Sequence, residues 1–180
     1  INPRHNPLLL TGVPNHFVEG DTVDPLLHTS HNLTDTIPAP SLIFDGIANN
    51  SGITPPDTVG EVGPNHYVQM VNVRFSIFDK SGNTLVAPVA FNQLFSGSGL
   101  STCSSQNAGD PIVVYDELAD RWLLSQFASP SHICVGVSQS ADPTGAYHLY
   151  EFNVGSVPDY FKFGVWTDGY YMSANEGSYT

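Results

Sequence analysis

Three stretches of the chain follow one template: PPDTVGEVGPNHYVQMVN (55–72), GDPIVVYDELADRWLLSQF (109–127) and PDYFKFGVWTDGYYMSAN (158–175). Each has an Asp near its start, namely Asp57, Asp110 and Asp159. Each runs through a short apolar or Gly-rich strand into a polar turn. An aromatic and a second apolar strand follow, as His66-Tyr67-Val68, Arg121-Trp122-Leu123 and Tyr170-Tyr171-Met172. Asp57 to Asp110 spans 53 residues and Asp110 to Asp159 spans 49. A four-stranded propeller blade takes about 40–50 residues. The repeat therefore predicts an all-β chain of four-stranded antiparallel blades, β-propeller-like, with three carboxylates at equivalent positions.

Composition agrees with many short strands and turns. Gly (16) and Pro (14) are scattered without a period, which suits neither long helices nor collagen. Helix is expected below about 10% of the residues, against a base rate near a third. The net charge is −12 with only five Lys and Arg, too few to neutralise a phosphate backbone. Nucleic acid and an anionic membrane surface are thereby excluded as partners. No apolar run reaches the length of about 18 residues that a transmembrane helix needs. The first residues do not read as a signal peptide, and Ile1 is expected to be a mature or processed terminus. An acidic surface suits a secreted protein, and clustered carboxylates can hold Ca²⁺. Solubility alone explains the charge equally well.

Residues 1–40 read as an extended N-terminal arm, closing on Ile37-Pro38-Ala39-Pro40. Leu8-Leu9-Leu10, Phe17-Val18 and Leu26-Leu27 give it enough apolar surface to lie on the body rather than hang free. Residues 41–180 read as the propeller-like domain. SLIFDGI (41–47) is expected as a first strand. Blade one is expected over 57–91, with strands near 57–62, 66–73, 74–79 and 84–91. Lys80-Ser81-Gly82-Asn83 forms a hairpin turn, and Pro88 puts the last strand at an edge. Residues 92–108 read as a Ser/Gly/Asn-rich loop. Blade two is expected over 110–154, with strands at 112–115, 121–127, 132–138 and 147–154. A third, partial blade starts near 158. Two and a half blades cannot close a ring, since propellers use about 4–8. The missing blades are therefore expected from the same or another polypeptide.

The strings PPDTVGEVGPNHYVQMVN, GDPIVVYDELADRWLLSQFA, DPTGAYHLYEF and DYFKFGVWTDGYYMSAN resemble a family of large secreted bacterial proteins, mostly uncharacterised. Such proteins often carry Ig-like or sorting modules further along. The resemblance covers about residues 42–175 and implies a propeller-like all-β domain and export. It implies no particular activity.

The repeated Asp57, Asp110 and Asp159 would ring one mouth of a propeller channel. Three readings of them stay open. Each Asp caps a turn or accepts backbone N–H groups at a strand start, which Asp110-Pro111 suits well. Together they bind Ca²⁺ or another hard cation. Or two of them work as an acid and a base or nucleophile on a glycosidic bond. Equivalence counts against the last, because that chemistry needs carboxyls with separated pKa values. His28 and His31 have HxxH spacing and are weak metal candidates, with no third ligand at a diagnostic distance. His66 takes a turn-to-strand surface position. Cys103 and Cys134 are expected to form a disulfide if the protein is exported. Trp122 and Trp166 offer a sugar-stacking platform, but core packing is the simpler role. Asn32-Leu33-Thr34 and Asn49-Asn50-Ser51 are glycosylation sequons.

No nucleophile elbow, phosphate-binding loop or dinucleotide fingerprint occurs. The expected function is a non-catalytic extracellular module for surface display, adhesion or assembly, with a glycan or cell-surface ligand. The alternative is a carbohydrate-active hydrolase using the channel-mouth carboxylates.

Overall fold

Strand ladders form where the sequence alternates between turn signals. The computed structural model describes residues 38–129 and 131–176. Strands make up 51% of these and helix 7%, so the chain is all-β and mostly antiparallel. The N-terminal arm expected over 1–40, with His28 and His31, lies outside the described residues except for its last three.

The first sheet contains β1 (Val59–Val62), β2 (His66–Val71), β3 (Arg74–Asp79) and β4 (Thr84–Ala90), paired in chain order. The β3–β4 turn has a clear local cause. Asp79 Oδ1 accepts N–H bonds from Ser81 at 2.8 Å and Asn83 at 2.9 Å, and Gly82 supplies the left-handed φ of 82°. β4 is an edge strand, and its ladder slips between the pairs Phe75↔Val89 and Ile77↔Val86, which brackets Pro88. A residue without an N–H is tolerated there.

The second sheet repeats this plan with β5 (Gly109–Asp116), β6 (Arg121–Ser129), β7 (His132–Ser138) and β8 (Tyr147–Asn153). β6 is buried at every position between its two ends because it is covered on both faces. Trp122, Leu124 and Ala128 pack with Val68, Met70, Phe75 and Ile77 of the first sheet. Leu123 and Phe127, on the opposite face, pack with Ile112, Ile133, Val135 and Phe161. Phe161 belongs to a third, two-stranded unit, β9 (Pro158–Trp166) and β10 (Gly169–Glu176). Layers thus stack in chain order, with the second sheet in the middle. Trp122 is fully buried and its indole N–H donates to the Ala141 carbonyl at 3.1 Å. Gly63 is required beside it, since a Cβ there would stand 2.7 Å from the Trp122 ring.

The ladder boundaries of both four-stranded units fall within about three residues of the sequence reading, while three expectations are corrected. Residues 41–47 form no strand. That segment crosses the outer face of the first sheet, where Phe44 contacts Phe78 at 5.3 Å between ring centroids and Ile47 N–H donates to Gln69 Oε1 at 2.6 Å. Its apolar residues cover Tyr67 and Phe78 rather than joining a ladder. Residues 92–108 are not a plain loop either. A 3-10 helix spans Phe91–Phe95 and a short helix, α1, spans Ser101–Ser105. Phe91, Phe95 and Cys103 enter the core between the two sheets, which orders this Ser-rich stretch. Finally, Trp166 is 68% exposed rather than core.

Cys103 and Cys134 are bonded, with Cα atoms 5.6 Å apart. The bridge ties α1 to β7, and Glu151 on neighbouring β8 accepts the Cys103 N–H at 2.9 Å. All of this structure lies in one compact unit from Pro40 onward. The described residues do not close into a ring or barrel.

Candidate functional site

The three units meet through their first strands: β1 lies against β5, and β5 against β9. That adjacency brings the repeated Asp positions to one end of the molecule. Asp57 and Asp110 line an open pocket of about 210 Å³, together with Pro111, Tyr160 and Lys162. The backbone there is unusual in the same way three times. Asp57 has φ 43°, Asp110 φ 50° and Tyr160, beside Asp159, φ 54°. Asp tolerates the left-handed region better than most residues, which gives a local reason for Asp57 and Asp110; in the third stretch the left-handed residue is Tyr160, so Asp159 sits one position earlier in the backbone pattern.

The surroundings of Asp110 act on its charge. Partial burial first pushes its carboxyl above the usual range, and the charge of Asp57, a hydrogen bond with Asp57 and the charge of Asp159 add to the rise. The Lys162 ammonium opposes them. Lys162 also sits 4.1 Å from the centre of the Tyr160 ring, a cation–π arrangement. Asp57 and Asp110 thus lie together at the joint between the first two units, with Asp159 near enough to repel Asp110. Among the described residues, no three His, Cys, Asp or Glu side chains come together so as to hold a metal ion.

Other expected positions do not join this site. His66 faces Asp142 of the β7–β8 turn at 3.8 Å. Trp122 is sealed in the core, and Trp166 stands on the open face of the β9–β10 hairpin. The two tryptophans therefore form no common platform. Of the sequons, Asn49 is described and exposed; its amide donates to the Ile53 carbonyl at 2.8 Å.

Two polar contacts at the joints escaped the sequence reading. Tyr170 on β10 donates its hydroxyl to Asp116 Oδ2 at the end of β5, at 2.7 Å. Burial works against the charged form of Asp116, but the Tyr170 hydroxyl and the N–H groups of Ala119 and Leu118 outweigh it and hold the carboxyl below the usual range. Tyr170 in turn is pushed up to about 12, by burial first and then by Asp116. The second contact is Asn72, 1% exposed with φ 48° in the β2–β3 turn. Its amide donates to the carbonyls of Ile53 at 3.1 Å and Pro55 at 2.8 Å, pinning the loop that delivers Asp57. Asn in a two-residue turn is a sequence signal for left-handed backbone; its reach to a segment 17 residues earlier is not.

Comparison with protein-family models, curated proteins and solved structures finds no match to this chain.

Proposed function

We propose that the chain forms part of a β-propeller-like, non-catalytic extracellular module that serves surface display, adhesion or assembly. Sequential sheets, each meandering from an inner first strand, support the propeller reading. So does the side-by-side placement of β1, β5 and β9. Export is supported by the disulfide, which persists in oxidising compartments. The acidic balance and the motif resemblance to large secreted bacterial proteins point the same way.

One observation carries the non-catalytic reading: the pocket that Asp57 and Asp110 line together holds only about 210 Å³. Sites that enclose a small-molecule ligand run to about 300–1,000 Å³. A pocket this small does not enclose a sugar ring between an acid and a base. The pair is better suited to fixing the joint between two units than to flanking a bond.

The competing reading, a carbohydrate-active hydrolase, draws on the raised Asp110 carboxyl beside Asp57 and Asp159. A panel of polysaccharides and chromogenic glycosides, assayed for release of reducing ends and run beside a glycan and cell-surface binding array, separates the two. The module reading expects binding without turnover. Turnover abolished by Asp110→Asn would overturn it.

A further inference from the structure

We propose that the β9–β10 hairpin and the outer half of the second sheet receive a β-hairpin from outside residues 38–176. Its first strand would pair with the open edge of β10, and its alternate apolar side chains would seat in the groove beside β8. This inference rests on the repeat-unit reading above and names the partner it requires.

The two faces of β8 are treated differently. On the face toward the first sheet, Tyr147 and Leu149 pack in one cluster with Val86 and Val89 of β4 and with Leu94. The third and fourth strands of one unit therefore cover the outer strands of the next. On the opposite face, β9 and β10 cover only the inner strands. Tyr150 and Phe152 remain 44% and 50% exposed, their rings parallel within 9° and 6.1 Å apart. A groove of about 260 Å³ runs from them to Phe163 and Tyr170 of the hairpin, with Val135 in its floor. Among the described residues β10 pairs with β9 alone, so its other edge presents free backbone donors and acceptors. An edge and an apolar floor side by side fit strand addition, in which backbone bonds supply affinity and alternate side chains supply specificity. The position matches that of β3 and β4 relative to β2 one layer earlier. A second copy of this chain is the poorer occupant, because each copy carries a net charge of −12.

The test uses the chain with a synthetic peptide of residues 74–90, its own third and fourth strands. Hydrogen exchange of the amides of 170–175 is read by NMR, with sedimentation in parallel. The outward amides of β10 should exchange freely in the chain alone and slow by about tenfold or more when the peptide is added. A peptide with Phe78→Ser, which alters the face turned toward the preceding layer, should leave exchange unchanged, as should the intact peptide with a Tyr150→Ser/Phe152→Ser chain. Lack of protection at a peptide concentration of about 1 mM overturns the proposal. Protection that rises with protein concentration as dimers form assigns the face to a second copy; the docked hairpin then fails while the repeat-unit reading stands. Outward amides already protected in the monomer would overturn both.

Discussion

The Cys103–Cys134 bridge offers the sharpest quantitative test of the fold. It closes 31 residues of chain, a loop that contains all of β5 and β6. In the chain-entropy treatment, a loop of that length restricts the unfolded state by about 3.7 kcal/mol at 25 °C. Both cysteines are fully buried in the core between the two sheets. Reducing the bond keeps both sulfur atoms in the core and should cost about 3.7 kcal/mol. The Cys103→Ala/Cys134→Ala chain also loses two buried sulfur atoms, each roughly the size of a methylene, and should cost about 5 kcal/mol. A domain of this size has about 5–15 kcal/mol in total, so the loss is a large share. Urea unfolding followed by tryptophan fluorescence suits the measurement. Trp122 moves from full burial to water while Trp166 is already 68% exposed, so the signal reports the core. The m value should rise, because the uncrosslinked unfolded chain exposes more surface. A loss below about 1.5 kcal/mol on reduction, with m unchanged, would refute the claim that the bridge acts through the unfolded chain.

Three further outcomes follow from the joints between units. Trp122→Ala should cost about 3–5 kcal/mol in the same urea assay, and Trp122→Phe distinctly less, since the ring volume is largely kept. Tyr170→Phe should cost about 1–2 kcal/mol at pH 7 by loss of a hydrogen bond to a carboxylate. The Asp116 carboxyl is held below its usual range, so its contribution is present above about pH 4 and drains away as the pH falls through the lowered value. The cost of Tyr170→Phe should shrink over that same acid range, and a pH-independent cost would count against the contact. Asp110 has the opposite sign. Its raised carboxyl makes the charged form unfavourable at neutral pH, and the penalty lifts as the pH falls through the raised value. Asp110→Asn, which also tolerates positive φ, should therefore stabilise the chain at pH 7. The gain should vanish below about pH 4 in thermal melts across pH. Destabilisation at neutral pH would argue that Asp110 is held as a needed anion.

The ladders were legible because their causes are local. Alternation in Tyr147–Val154, the Lys80–Asn83 turn and the apolar run Ile112–Tyr115 each fix an element within a few residues. SLIFDGI misled because an apolar run says that a segment is buried against something, not that it pairs. The Ser/Gly/Asn composition of 92–108 hid two helical turns, which follow from three side chains entering a distant core. In the candidate site, the recurrence of Asp57, Asp110 and Asp159 was plain in the chain. The nearness of Asp57 to Asp110 was not, since it depends on β1 lying against β5. Tyr170 and Asp116 are 54 residues apart and no local pattern couples them.

The pairing of every strand with its neighbour in sequence also has a consequence for how the chain folds. Each ladder closes only a short loop, so pairing within a sheet is entropically cheap and fast. Burial is not local: beyond Phe91 and Phe95, the cover over Val68, Met70, Phe75 and Ile77 comes from the second sheet, beginning some 40 residues later. A chain emerging from its N-terminus could therefore complete β1–β4 and still show a bare apolar face until β5–β8 arrive. Layer docking, rather than strand pairing, is then the slow and aggregation-exposed step. Stopped-flow refolding should record the β-sheet signal before Trp122 leaves water, and simultaneous appearance of the two signals would contradict this order.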